Sequence, residues 1–339
     1  MEGKNPEFGV ILALTIRGLA VHSYPEMCRV VRAAEDLGLS SIWLCDHFLT
    51  LSPDQYTKSR VERPNENVSP SEGNGETMRK SSIPLLECWT ALSALSRETK
   101  WLRLGTSVLC NSYRHPAVLA KMAATLDVIS EGRLDFGLGA GWFQAEYEAY
   151  GFEFPRVGIR VSQLDEALQI IRRMWSDDNP VFKGTYYSIN GAICDPPPVQ
   201  RPHPPIWVGG EGDRMHRIAA RLADGVNMRW WSPERFKSRA EYLAQACREF
   251  GREPASLRMS ATLLVIVGKD STEVESVRTQ FGAIPPEGVV AGSPEQCATR
   301  IREYLDAGVN HFLFSIPYVD KSDRLQILGE KVLPALKCS

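Results

Sequence analysis

Residues 102–141, LRLGTSVLCNSYRHPAVLAKMAATLDVISEGRLDFGLGAG, hold a strand, a helix and a second strand. WLRLGTSVLC (101–110) and RLDFGLGAG (133–141) are short apolar runs of strand length. Between them PAVLAKMAATLDVIS carries apolar residues at helical spacing, with Pro116 in the first turn, where its missing N–H has no partner to lose. Outward in both directions the same alternation repeats. FGVILAL (8–14), SSIWLCD (40–46), IWVGG (206–210), DGVNMRW (224–230), RMSATLLVIVG (258–268) and VNHFLFSIP (309–317) are six further strands, with helical patterns between and after them. Strands alternating with helices form a parallel sheet covered by helices. Eight such units predict a closed (β/α)8 TIM barrel with insertions, an α/β fold, over an open doubly wound sheet. No GxGxxG follows the first strand, which counts against a dinucleotide-binding sheet.

One domain is expected over 1–339, with two interruptions. The stretch 49–82 is polar and rich in Pro, Asn, Ser, Glu and Gly, and reads as an active-site lid or loop. The stretch 179–205 reads as a short hairpin followed by a proline-rich connector. A formal net charge of -2 gives no reason to expect nucleic acid or an anionic membrane as a partner. No apolar run approaches about 18 residues, and the N-terminus lacks a basic region leading into an apolar one, so a cytoplasmic location is expected. The eight cysteines form no CxxC pair and the six histidines do not cluster with them. Reduced structural thiols and no metal site are the expectation.

Barrel active sites lie at the C-terminal strand ends. Asp46 and His47 follow the second strand. His47 is the candidate general acid or base, against a rim histidine held by backbone. Asp46 would orient that ring or cap the next turn. Gly139, Ala140 and Gly141 leave the fourth strand nearly bare, for a flat ring or for close packing. Val208, Gly209, Gly210, Glu211 and Gly212 turn into a helix, an anion site to which Arg214 adds charge, or a plain tight turn. Glu211 is expected to face solvent or pair with Arg214. Asn111 and Ser112 could bond a ring edge; Arg114 and His115 would position the following helix. Arg229–Trp231 would wall a pocket or pack the rim.

Four blocks stand in order on this barrel: SSIWLCDHF, the stretch from 102 to Trp142, PPIWVGGEGDRMHRIAARLADGVN and GSPEQCATRIREYLDAGVNHF. Together they resemble the bacterial luciferase-like monooxygenase superfamily over about 8–317, and most of all its coenzyme F420-dependent oxidoreductase branch. The resemblance implies hydride transfer between deazaflavin F420 and a small organic substrate, with His47 catalytic. Its alternative is a two-component monooxygenase that takes reduced FMN (FMNH2) from a separate flavin reductase; a third reading is a non-catalytic flavin-binding accessory protein. It implies that Asp46 and His47 lie at the polar edge of the cofactor ring and that Ser107 and Val108 form a cis bulge backing it. Gly139, Ala140 and Gly141 would face the ring, and Gly209, Gly210 and Gly212 with Arg214 would hold its phosphate. A homodimer is also implied. Sugar-phosphate-oxidising members carry an acid where Trp142 stands here, with Glu146 four residues later, which argues against sugar dehydrogenation.

Overall fold

The computed structural model describes residues 5–51, 84–282 and 284–337. The expected loop 49–82 therefore lies, from residue 52 on, outside the described residues.

The chain runs β1 (Glu7–Ala13), α1 (Tyr24–Asp36), β2 (Ser41–Leu44), α2 (Cys88–Leu95), β3 (Arg103–Thr106), β4 (Leu109–Cys110), α3 (Pro116–Ile129) and β5 (Leu134–Gly139). It continues through α4 (Gln144–Ala149), α5 (Val157–Ser176), the hairpin β6 (Val181–Lys183) and β7 (Ser188–Asn190), β8 (Ile206–Gly209), α6 (Asp213–Leu222), β9 (Gly225–Arg229) and α7 (Pro233–Glu249). Last come β10 (Arg258–Val267), α8 (Ser271–Gln280), β11 (Val289–Gly292), α9 (Pro294–Asp306), β12 (His311–Ser315), α10 (Arg324–Ile327) and α11 (Leu333–Lys337).

Neighbouring staves β1, β2, β3/β4, β5, β8, β9, β10 and β12 pair in parallel, and β12 closes on β1 from Glu7 opposite His311 to Ile11 opposite Ser315. This is the expected eight-stave barrel. Its interior is packed, as such barrels require. Trp43 and Trp207 meet edge-on with ring centres 5.9 Å apart, and His311 lies 4.6 Å from Trp207. Glycines opposite make room: a Cβ on Gly105 would fall 2.2 Å from the Trp43 ring, and one on Gly225 2.2 Å from that of Trp207.

One irregularity was expected and others were not. The third stave is broken between β3 and β4 by a cis Ser107–Val108 peptide, the bulge the resemblance implied. β10 is ten residues long, and its second half outruns the barrel. The unforeseen β11 covers that tail, pairing Leu264–Val267. The C-terminal helix breaks into α10, a π turn (Leu328–Val332) and α11. The six-residue α4 was not foreseen either.

Within 179–205, β6 and β7 pair antiparallel as a hairpin. Glu166 of α5 anchors the hairpin by accepting the N–H groups of Thr185, Tyr186 and Tyr187. Seven cysteines lie among the described residues, all buried and unbridged. No helix among those residues is long and apolar enough to cross a membrane.

Candidate active site

The C-terminal ends of β2, β4, β5, β8 and β9 surround a cavity of about 500 Å³. Asp46, His47, Ser107, Val108, Gly139–Gly141, Gly209–Arg214 and Arg229 all border it. Three predicted residues do not. Val208 is fully buried behind the wall, Asn111 is buried with its Nδ2 donating to the Tyr187 hydroxyl at 3.3 Å, and Ser112 accepts from the Tyr147 hydroxyl. Of Arg229–Trp231 only the arginine faces the cavity; both tryptophans are buried in the rim, Trp231 beneath Arg235 at 3.7 Å.

The glycine run at the end of β5 answers first to the bulge. A Cβ on Gly139 would lie 2.8 Å from Val108 Cγ2, and one on Gly209 only 2.7 Å from it. One on Gly137 would strike the Thr106 carbonyl oxygen at 1.9 Å. Gly141, at φ 78°, makes room for the Tyr147 hydroxyl, which bonds Ser112 at 3.0 Å. So the β3–β4 bulge, with Val108 at its tip, occupies the space these glycines vacate. The cavity then gains a wall of backbone with few side chains, flat enough for a ring system.

His47 is anchored by a residue sequence reasoning passed over as a site residue. Its Nδ1 lies 2.9 Å from Oε2 of Glu146, whose side chain is fully buried. Glu146 also accepts from the Tyr113 hydroxyl at 2.7 Å and from the N–H groups of Phe48 at 2.6 Å and Leu49 at 2.9 Å. Burial works against its charge, but His47, Tyr113 and Phe48 together outweigh that and hold the carboxyl below its ordinary range. Burial, and then the Glu146 charge, push the Tyr113 phenol well up, so it stays a donor. An ionised carboxylate only accepts, so Nδ1 carries the hydrogen and Nε2 is left toward the cavity. Trp142 and Phe143 hold the ring edge-on, with centres 5.6 and 6.1 Å away.

Asp46 does not orient His47. Arg114 donates to both its oxygens, at 2.6 and 3.0 Å, and the Cys110 N–H adds a third bond at 3.0 Å. Arg114 also binds Glu87, the N-cap of α2. Burial disfavours the guanidinium charge, and the two carboxylates more than offset it. Asp46 thus presents an edge already neutralised. His115 caps α3, accepting from the Ala117 N–H at 3.3 Å.

At the end of β8 the chain enters α6 through Gly212, an N-cap with no side-chain bond. The first N–H groups of a helix have no partners within it and attract anions. A Cβ on Gly212 would meet nothing within 4 Å, so the turn is open. Gly210 has φ 156°, a conformation that favours glycine. Buried His216 reaches back to its carbonyl, Nε2 lying 3.0 Å from the oxygen. Burial pushes that imidazole down to about 4, so it is neutral and Nε2–H donates. The nearby carboxylates are drawn aside: Asp213 pairs with Arg239, and Glu211 lies 3.8 Å from Arg235. Arg214 does not pair with Glu211; it donates to the Gly158 carbonyl at 2.9 Å and to Ser162 at 2.6 Å, tying the turn to α5. A flat ring carrying a phosphate fits this cavity: bare backbone and apolar Phe143, Val161 and Met215 beside it, an open uncapped helix end at its far side.

Fold and site together define a (β/α)8 barrel that opens on an anchored histidine and a helix N-terminus without a side-chain cap, a cofactor-binding barrel. The chain belongs to the luciferase-like monooxygenase family, whose profile matches residues 7–286. It is 28% identical over 339 residues to an F420-dependent glucose-6-phosphate dehydrogenase of Amycolatopsis mediterranei, covering 90% of this chain and 92% of the relative. It is 30% identical over 251 residues to the phthiodiolone/phenolphthiodiolone dimycocerosates ketoreductase of Mycobacterium tuberculosis, covering 72% of this chain and 61% of that protein. The fold superposes on an F420-dependent secondary alcohol dehydrogenase in complex with an F420-acetone adduct at a TM-score of 0.78 and 22% identity, over 98% of this chain and 99% of that one.

Proposed function

We propose that this protein is an F420-dependent oxidoreductase acting at a carbinol or carbonyl carbon of a small organic substrate. The observation that carries the reading is the His47–Glu146 pair at 2.9 Å, which fixes the tautomer and leaves Nε2 toward the cavity. In the oxidative direction His47 Nε2 takes the hydroxyl proton as the carbinol C–H leaves as hydride, and a carbonyl forms. In the reductive direction the imidazolium returns that proton to the oxygen. When bound, the deazaflavin supplies the hydride acceptor or donor. Gly209–Gly212 and the start of α6 would hold its phosphate, and the backbone at Gly139–Gly141 would lie along its ring. The relatives' names, a dehydrogenase and a ketoreductase, support this chemistry.

Glucose 6-phosphate itself is not the proposed substrate. By the family resemblance, sugar-oxidising members carry an acid at the place of Trp142. Glu146 cannot replace that acid, because four donors already hold its two oxygens. Titrating the purified protein with F420 and, under anaerobic conditions, with reduced FMN tests the proposal. Binding of F420 at least about tenfold tighter, roughly 1.4 kcal/mol, supports it. A preference for FMN sinks it in favour of the two-component monooxygenase. A homodimer belongs to the same reading, and a scattering mass near twice 37.8 kDa would support it.

A further inference from the structure

Among the described residues, the charged groups that border the cavity are held by opposite charges or by short hydrogen bonds, with one exception. Asp46 is held by Arg114, His47 by Glu146, Glu211 lies beside Arg235 and Asp213 pairs with Arg239. Arg214 is bound to Gly158 and Ser162. Arg229, the last residue of β9, is the exception. Its Nη2 lies 3.4 Å from the Ser107 carbonyl and 4.0 Å from Cys45 Sγ, and its guanidinium 5.6 Å from the Trp230 ring centre. Both hydrogen bonds are at the long limit and neither partner carries a charge. Among the described residues no carboxylate pairs with it.

A guanidinium is charged at every accessible pH and offers five N–H donors in a planar fork. Holding such a group half out of water without a counter-charge is unfavourable. Its planar fork matches a carboxylate with two parallel bonds. Arg229 reaches across the barrel mouth to Cys45, two residues before His47 on the same stave end, so fork and imidazole address one region of the cavity.

We propose that Arg229 selects the substrate: the molecule oxidised or reduced is a small hydroxy or oxo acid whose carboxylate binds this guanidinium while its carbinol or carbonyl faces His47. The inference rests on the proposed function and adds to it the class of substrate.

The test is binding to the full-length protein. F420 is titrated first, into wild type, Arg229→Gln and Arg229→Lys, with melting temperatures as a check on folding. Each F420-loaded protein is then titrated with lactate, pyruvate and benzoate and with their uncharged amides. Wild type is expected to bind at least one carboxylate about 10- to 100-fold tighter than its amide, the worth of a charge-assisted hydrogen bond. Arg229→Gln should erase that preference with F420 affinity unchanged. Arg229→Lys, which keeps the charge and loses the fork, should fall between. A loaded wild type with no carboxylate preference overturns the inference, and so does a preference that survives Arg229→Gln. F420 binding that collapses in Arg229→Gln overturns it too, assigning the arginine to the cofactor. A wild type that does not bind F420 is a separate result, which sinks the proposed function and this inference with it.

Discussion

The Val108 side chain stands where a side chain on Gly209 would have to be: a Cβ there would fall 2.7 Å from Val108 Cγ2 and 2.8 Å from Cγ1. The bulge of one stave is thus keyed into the bare ends of two neighbours, β5 and β8. Gly209→Ala should push the bulge toward the cavity. Overpacking of this kind costs about 1–3 kcal/mol. Removing the two methyls with Val108→Ala in the same chain should recover most of it, since the next nearest atom, Val108 Cβ, is 3.3 Å away. Urea unfolding of the four proteins of the cycle measures the coupling. Simple additivity would show that the two positions do not compete for space.

His47→Ala should lower turnover by about 10²–10⁴ if Nε2 moves the substrate proton. Glu146→Gln should approach that loss, because the amide no longer obliges Nδ1 to carry the hydrogen. Cofactor affinity should change little in either variant. The double variant should be scarcely worse than His47→Ala alone, as groups acting as one unit are not additive. Steady-state kinetics beside cofactor titrations check this, and a Glu146→Gln enzyme with wild-type kcat would reduce the pair to a structural contact.

Stability should fall on mild acidification, before the carboxylates titrate. Burial pushes His216 down from 6.5 to about 4 and His311 from 6.5 to about 3. The unfolded chain therefore binds more protons than the folded one below about pH 6.5, and each imidazole removes up to about 1.4 kcal/mol per pH unit as the pH drops toward its folded value. Urea midpoints between pH 8 and 4.5 measure this. His216→Phe should flatten part of the slope; a wild-type midpoint that stays level from pH 7 to 5 contradicts the expectation.

Cys110 borders the cavity yet should resist thiol reagents. Burial pushes its thiol up to about 12, and Sγ lies 2.9 Å from the Tyr147 hydroxyl. The thiolate is the reactive form. Iodoacetamide at pH 8 should leave Cys110 unlabelled by mass spectrometry until denaturant is added. Rapid labelling of the native protein would mean the Tyr147 contact opens in solution.

The barrel was legible because its signal is repeated. Each stave is a short apolar run and each crossover a helical period, so a boundary error of one or two residues, as at β2, leaves the count intact. The strand ends could be read for the same reason, and most residues singled out there do border one cavity. What escaped depends on contacts remote in sequence. Glu146 sits 99 residues from His47 on a helix too short to show a period. Asp46 seemed made to serve the histidine beside it, but Arg114, 68 residues on, takes both its oxygens. The glycines were visible; that Val108 fills the space they leave is a fact of three staves at once. The length of β10 was legible as one apolar run, but β11 is only four residues long and becomes a strand by pairing with that run's tail.

Arg114 has one further effect. It clasps Asp46 at the end of β2 and Glu87 at the start of α2, so a single guanidinium fastens both banks of the stretch that lies between them in sequence. Among the described residues, the imidazole is held by Glu146 and the bulge by the bare ends of β5 and β8. Changes of sequence between the two banks should therefore leave the His47–Glu146 pair where it is, since the N–H groups of Phe48 and Leu49 are pinned to that same carboxylate.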